Sequence, residues 1–182
     1  MKKNESSVGY VLKLTLILFV ISAIVALLLG GVNAITKDKI AAINKQKVAD
    51  AIALVIDSSA EPEEVTDFDS STGITAVYKM GEDGYAVQTV VSGSQGSITV
   101  MTGVDPTGVI TGVSIVSHSE TAGLGAVYAG DTDAGVAFRD SFVGKSGSFT
   151  AKDVAYKSGA TISADAICKA AGIASDYVAS LG

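Results

Sequence analysis

Ser97-Ile98-Thr99-Val100-Met101-Thr102-Gly103-Val104, then Asp105-Pro106-Thr107-Gly108, then Val109-Ile110-Thr111-Gly112-Val113-Ser114-Ile115-Val116-Ser117 is the stretch that decides the fold. Pro at the second position of a turn presets φ, and Gly shortly after it lets the chain reverse, so Asp-Pro-Thr-Gly reads as a hairpin connection. Ile98 and Val100 before the turn, and Val109, Val113 and Ile115 after it, alternate with polar or small residues. That alternation is the mark of a half-buried antiparallel sheet. Ile74–Met80, Gly81-Glu82-Asp83-Gly84 and Tyr85–Val91 repeat the pattern one hairpin earlier. Downstream, Thr132 to Val143 reads as a short helix with Val136, Ala137 and Phe142 turned inward. A second helix is expected from Ser163 to Ala171, ending at Gly172. The class is α+β.

Toward the N-terminus, Leu14 to Val32 (LTLILFVISAIVALLLGGV) carries no charge. At 1.5 Å per residue such a run crosses the roughly 30 Å hydrocarbon core. Thr15 and Ser22 are tolerated because their hydroxyls can bond backbone carbonyls one turn back. Ala23, Ala26 and Gly30 form a small-residue face suited to packing on other helices. The competing reading is a cleaved signal peptide with Val32-Asn33-Ala34 as its site, but the apolar run exceeds the usual h-region of about 7–15 residues. Residues 36–56 read as a spacer helix with Thr36 as N-cap and Ile40, Ile43, Ala51, Ile52 and Val55 near one face. Residues 57–72 read as an acidic loop.

Charge is divided unevenly. Residues 1–47 hold seven basic and two acidic residues; the rest holds six and seventeen, for a formal net charge of −6 overall. An acidic domain repels phosphate backbones, which argues against a nucleic-acid partner. Lysines flank both ends of the apolar run, Lys2, Lys3 and Lys13 before it and Lys37, Lys39, Lys45 and Lys47 after it, so the positive-inside count is close to a tie that slightly favours an internal domain. Cys168 has no cysteine to pair with, which excludes an internal disulfide or a CxxC site, and it is expected to pack inside the last helix. His118 is the only histidine, which leaves no histidine-based metal cluster. Any redox chemistry must therefore come from a bound cofactor.

Two segments differ from ordinary core or turn. Ser117-His118-Ser119-Glu120-Thr121-Ala122-Gly123-Leu124-Gly125 follows a strand directly. It is either a flexible surface loop or a binding loop, in which Gly admits a flat ligand and Leu124 meets a ring face. Lys157-Ser158-Gly159-Ala160-Thr161-Ile162-Ser163 leads into an Ala-rich helix. One of its hydroxyls either caps that helix, or the free N–H groups of the helix start receive a phosphate, with Lys157 adding positive charge.

The run Ser158-Gly159-Ala160-Thr161, followed by Ile162-Ser163, resembles the flavinylation motif of the FMN-binding domain family. Glu120-Thr121-Ala122-Gly123-Leu124-Gly125 is similar to that family's E-T-P-G-L-G loop, with Ala122 in place of Pro, and Phe142-Val143-Gly144-Lys145 to its F-x-G-K segment. Within it, the resemblance is to the G-type subunits of Rnf complexes, ion-translocating ferredoxin:NAD oxidoreductases. The resemblance implies FMN linked covalently through its phosphate to Thr161 by a flavin transferase that uses FAD as donor. It also implies a cofactor site including Lys157, Ser158, Gly159, Ala160, Glu120, Thr121, Gly123 and Leu124. It further implies an electron-transfer role without a catalytic site of the chain's own, integral-membrane and redox partner subunits, and a domain outside the cytoplasmic membrane. The implied layout is a cytoplasmic 1–13, a membrane helix 14–32, a juxtamembrane helix 33–56 and an FMN-binding domain 57–182. A C-type component of a sodium-pumping NADH:quinone reductase, a stand-alone membrane-anchored flavin reductase and a non-catalytic structural domain are the alternatives. The family motif carries Asp three residues before its Ser; here that position is Ala155, and the nearest Asp is Asp153.

Overall fold

The computed structural model describes residues 4–182, with side chains from residue 9 onward, so Lys2 and Lys3 of the N-terminal flank lie outside the described residues. Two compact units are present, Met1–Gln46 and Lys47–Gly182.

The first unit is helical. It contains most of α1, Asn4–Val55, a single helix of 52 residues. Its apolar side chains point outward all round; Phe19 is 69% exposed and Leu27 is 76% exposed. A helix apolar on every side has no polar face for water, and among the described residues this is the one helix long and apolar enough to cross a membrane. Thr15 Oγ1 donates to Val11 O at 2.9 Å, one turn back, as its place in an apolar run requires. Thr36 is not an N-cap. It lies inside α1, and its Oγ1 donates to Val32 O at 2.8 Å. Nothing between residues 33 and 36 breaks the i to i−4 ladder, so the helix continues and no new start exists to be capped. Ile40 and Ile43 are exposed, while Ala51, Ile52 and Val55 are buried, so only the last turns supply core residues.

The second unit is built on a five-stranded antiparallel sheet in sequence order: β1 Glu63–Val65, β2 Ile74–Lys79, β3 Tyr85–Ser92, β4 Ser97–Val104 and β5 Ile110–His118. The two hairpins fall where the turn chemistry puts them. Asp105 Oδ1 accepts from Thr107 N at 2.8 Å and Val109 N at 3.0 Å, and Gly108 closes the turn at φ +89°. The stretch read as an acidic loop contains the edge strand β1. Its Glu63 and Glu64 pair with Lys79 and Tyr78, a short charged edge that the hydrophobic pattern could not reveal.

Both faces of the central strands are covered. Val87, Val100 and Val104 lie under α3, Thr161–Ala179, and its neighbours, whereas Ala86 and Met101 lie under Ala51, Ile52 and Val55 at the end of α1. Gly103 and Gly112 face each other across β4 and β5 and make the second packing possible. A Cβ at Gly112 would stand 2.8 Å from Val55 Cα, and Thr111 Oγ1 donates to Val55 O at 2.7 Å.

The two C-terminal helices differ from expectation. α2 spans Asp133–Asp140, with Thr132 Oγ1 accepting from Gly135 N at 3.2 Å. Val136 and Ala137 are exposed, and Phe138 is the residue turned inward, stacked on Tyr128 at 3.9 Å. Phe142 is buried as expected, but it lies beyond the end of the helix, where its ring meets Phe138 edge-on at 5.0 Å. α3 does not stop at Gly172; it runs on to Ala179. Gly172 is buried where a Cβ would lie 3.1 Å from Gly147 O, so this glycine permits close packing and does not end the helix.

Candidate functional site

The β5 strand ends at His118, and the chain enters a loop whose first anchor is Glu120. Its carboxylate is nearly buried, 9% exposed, and accepts from Ser163 Oγ and from Gln95 N at 3.1 Å. Burial pushes this carboxyl upward, but the Ser163 hydroxyl and the backbone N–H groups of Gln95 and Ser94 outweigh it and hold it below the usual carboxylate range. Glu120 thereby ties three segments together: its own loop, the β3–β4 turn and the first turn of α3.

A second set of bonds joins the loop and the 3-10 turn after it to the residues before α3. Lys157 Nζ donates to Gly123 O at 2.8 Å. Lys157 N–H donates to the hydroxyl of Tyr128 at 3.0 Å, and that hydroxyl lies 3.4 Å from Ala160 O. Tyr128 is buried on the short 3-10 turn Gly125–Ala129, and burial pushes its phenol upward although the Lys157 bond opposes this. Gly125 is packed so closely that a Cβ would meet Ser163 and Glu120.

The result is a cavity of about 280 Å³ lined by Thr121 and Leu124 from the loop, Ser94 and Gln95 from the turn, and Gly159 to Ser163 from the start of α3. Gly159 adopts φ +87°, and its neighbour across the gap is Leu124. α3 begins after Ala160, which offers no side chain as a cap. The Ala160 carbonyl already accepts from Ala164 N at 3.0 Å. The earlier N–H groups of the first turn have no intrahelical acceptor, which leaves donors and the positive end of the helix dipole beside Thr161. Thr161 and Ile162 are exposed; Ser163 is 1% exposed. The hydroxyls of this segment therefore do not cap the helix: Ser163 is committed to Glu120, and Thr161 stands free at the rim.

Of the residues singled out from sequence, the structure brings Glu120, Thr121, Leu124, Gly159, Ala160 and Thr161 to one cavity. Gly123, Lys157 and Ser158 are not among its lining residues; Gly123 and Lys157 fasten its two walls to each other. Ser94, Gln95 and Ser163 were missed. Gly93-Ser94-Gln95-Gly96 has the composition of any hairpin turn, and a serine before an Ala-rich helix reads first as a cap. Phe142-Val143-Gly144-Lys145 serves the core, with Gly144 N donating to Ile110 O at 2.9 Å and Ile110 N to Lys145 O at 2.8 Å. Cys168 is buried and its thiol is pushed up to about 12, first by burial and then by Asp165 and Asp153, so it stays protonated.

Residues 93–175 match the FMN-binding domain family. The G-type subunit of the Na(+)-translocating ferredoxin:NAD(+) oxidoreductase complex of Acetobacterium woodii is 36% identical over 152 residues, covering 75% of this chain and 70% of that protein. The chain belongs to the family of G-type subunits of ion-translocating oxidoreductase complexes. Another member, from Methanosarcina acetivorans, is 30% identical over 179 residues, covering 91% of this chain and 93% of its own length. A Haemophilus influenzae member is 29% identical over 116 residues, covering 58% of this chain and 56% of its own. In this G-type chain the segment matched as an FMN-binding domain runs from the β3–β4 turn into the last turns of α3, and it contains every residue that lines the cavity.

Proposed function

We propose that this chain is the electron-transfer subunit of an ion-translocating oxidoreductase complex in the cytoplasmic membrane. In this reading FMN is held through a phosphoester to Thr161. One observation carries it: the free, exposed Thr161 hydroxyl sits at an uncapped helix start and opens into the cavity shared with Thr121 and Leu124.

The residues present fit this cofactor. Unpaired N–H groups at the start of α3 suit a phosphate. Gly159 leaves room for it, and Ser158 with Ala160 completes a segment of small residues around the acceptor. Leu124, 43% exposed, offers an apolar face for the ring, and the Thr121 hydroxyl a polar contact. Lys157 contributes positive charge near the phosphate while fixing the loop through Gly123. Glu120 holds the wall in place. FMN itself supplies the one- and two-electron chemistry. Electron transfer needs no acid–base residue from the chain, and a covalent link prevents loss of the cofactor. A flavin transferase installs it.

The Leu14–Val32 segment anchors the chain, and its small face of Ala23, Ala26 and Gly30 packs on partner subunits that carry cofactors of their own. The acidic FMN-binding domain of residues 57–182 lies on the extracytoplasmic side, away from the anionic inner leaflet. The test is in-gel flavin fluorescence after denaturation, on chain co-expressed with a flavin transferase. Thr161→Ala abolishes the signal and leaves the fold intact, since the Thr161 side chain is exposed and makes no cap, so its loss costs less than the roughly 1 kcal/mol of a capping hydroxyl. Thr161→Ser keeps part of it. Undiminished fluorescence in the alanine variant means that another residue carries the flavin.

A further inference from the structure

The cavity beside Thr161 carries a charge of unexpected sign. Of the eleven residues that line it, Glu120 alone is charged. The seat of a phosphate-bearing cofactor would be expected to show a cation on its wall. Lys157 does not line the cavity, and its Nζ is turned to Gly123 O at 2.8 Å. Among the described residues the one ion pair is Arg139 with Asp131, so Glu120 pairs with no lysine or arginine. His118 is the basic residue beside it, but its Nδ1 accepts from the Glu120 N–H at 3.2 Å and so offers the carboxylate no proton there.

The bonds of the carboxylate come from uncharged donors, Ser163 Oγ and the Gln95 N–H. Burial opposes its charge, and these donors together with the Ser94 N–H preserve it. The backbone is shaped around it as well: a Cβ at Gly93 or at Gly125 would strike one of its two oxygens. A tether between the loop, the turn and α3 needs no charge. A glutamine in the same place could accept from the Gln95 N–H through Oε1 and donate to Ser163 Oγ through Nε2. Burying an ion with no opposite charge beside it is costly, so a carboxylate here does something that an amide tether would not.

We infer that the Glu120 carboxylate holds the reduction potential of the bound flavin low, by opposing the negative charge that reduction adds to the ring. The inference rests on the FMN reading proposed above. Reduction at neutral pH brings two electrons and one proton to the ring and leaves one more negative charge on it, and a charge on the wall tunes that step. A ring seated in a cavity of about 280 Å³ lies within about 8–10 Å of the wall, no farther than the screening length of physiological salt. Through an effective dielectric of about 20, one charge at that distance changes the ratio of reduced to oxidised flavin at least about tenfold. For a two-electron couple that is about 30 mV.

The experiment is an anaerobic redox titration of the purified, detergent-solubilised full chain after co-expression with a flavin transferase. It is read by flavin absorbance against a reference dye at about pH 8, where a carboxylate is ionised. Glu120→Gln removes the charge and keeps both bonds, and its midpoint is expected about 30 mV or more above wild type. Ser163→Ala removes one bond and keeps the carboxylate, and its reduced-to-oxidised ratio is expected within about twofold of wild type, or about 9 mV. An unchanged or lower midpoint in the glutamine variant overturns the inference. Equal rises in both variants overturn it too, since the position of the loop and not the charge then sets the potential. So does a glutamine chain that circular dichroism shows unfolded, or folded without covalent flavin, because the carboxylate then serves structure or attachment. A wild-type chain that carries no flavin refutes the FMN reading itself.

Discussion

Ser163→Ala removes a hydroxyl that is 1% exposed and donates to Glu120 Oε2. A hydrogen bond to a charged group contributes about 1.5–3 kcal/mol. Glu120 keeps its bond from Gln95 N at 3.1 Å, so the expected loss is about 2 kcal/mol and not the larger cost of an abandoned buried charge. The pH dependence separates this cause from simple loss of packing. In the wild-type chain the Glu120 carboxyl lies below its ordinary value because the Ser163 and backbone bonds overcome burial. A depressed carboxyl contributes stability that is complete above the unfolded-state value and is lost as pH falls through the folded-state value. Without Ser163 the upward push of burial loses its chief opponent and the carboxyl rises. The gap between wild type and variant is therefore widest near neutral pH and narrows on acidification through the carboxylate range. Urea unfolding of the detergent-solubilised full chain, followed by tyrosine fluorescence at about pH 7 and about pH 4, measures both quantities. The same cost at both pH values, or a cost below about 0.5 kcal/mol, refutes the reasoning.

Thr102 is fully buried on β4, and its hydroxyl has no hydrogen-bond partner among the described residues, so Thr102→Val should stabilise the chain by about 1 kcal/mol in the same urea assay. A loss of stability would show that the hydroxyl is bonded. Gly123→Val places a β-branched residue at φ +79°, a strain of about 1–2 kcal/mol, and by displacing the loop that Lys157 holds it should lower covalent flavin incorporation; an unchanged yield counts against a flavin-lining loop. Protease added to right-side-out vesicles should digest residues after α1 and spare the apolar run, whereas cleavage only in inverted vesicles would reverse the proposed orientation.

The hairpins were legible because turn chemistry and period-two alternation are local properties. Asp105-Pro106-Thr107-Gly108 specifies its own reversal, and the strand limits on either side move by only a residue. The covering of both sheet faces was not legible. It depends on Gly103 and Gly112, which read as weak points in a strand until the end of α1 is seen lying over them. Helix ends failed for a related reason. Gly172 and Thr36 carry the right residue types for a stop and a start, but residues far away in sequence, or simple continuity of the backbone, decide the outcome. At the site, both suspect segments were found, and the bond that unites them was not. A buried Glu–Ser pair 43 residues apart leaves no periodic trace.

The departure at position 155 can be argued further from the structure. Asp153, the nearest acid, is not a substitute for the family's Asp. Its Oδ2 is turned to the Thr150 N–H and hydroxyl, where it closes a capping box on the short 3-10 turn Ala151–Asp153. Those two bonds from Thr150, acting against burial and aided by Lys145 and Lys152, hold the carboxyl below its usual range. Turning it toward Ser158 would break both bonds and uncap the turn that also places Lys152. At Ala155 itself the backbone N–H donates to Ser141 Oγ at 3.1 Å and the methyl side chain is exposed, so the backbone course there does not require an acid. Residues 157–163 are held through bonds of Lys157, Tyr128 and Glu120, none of which involves residue 155.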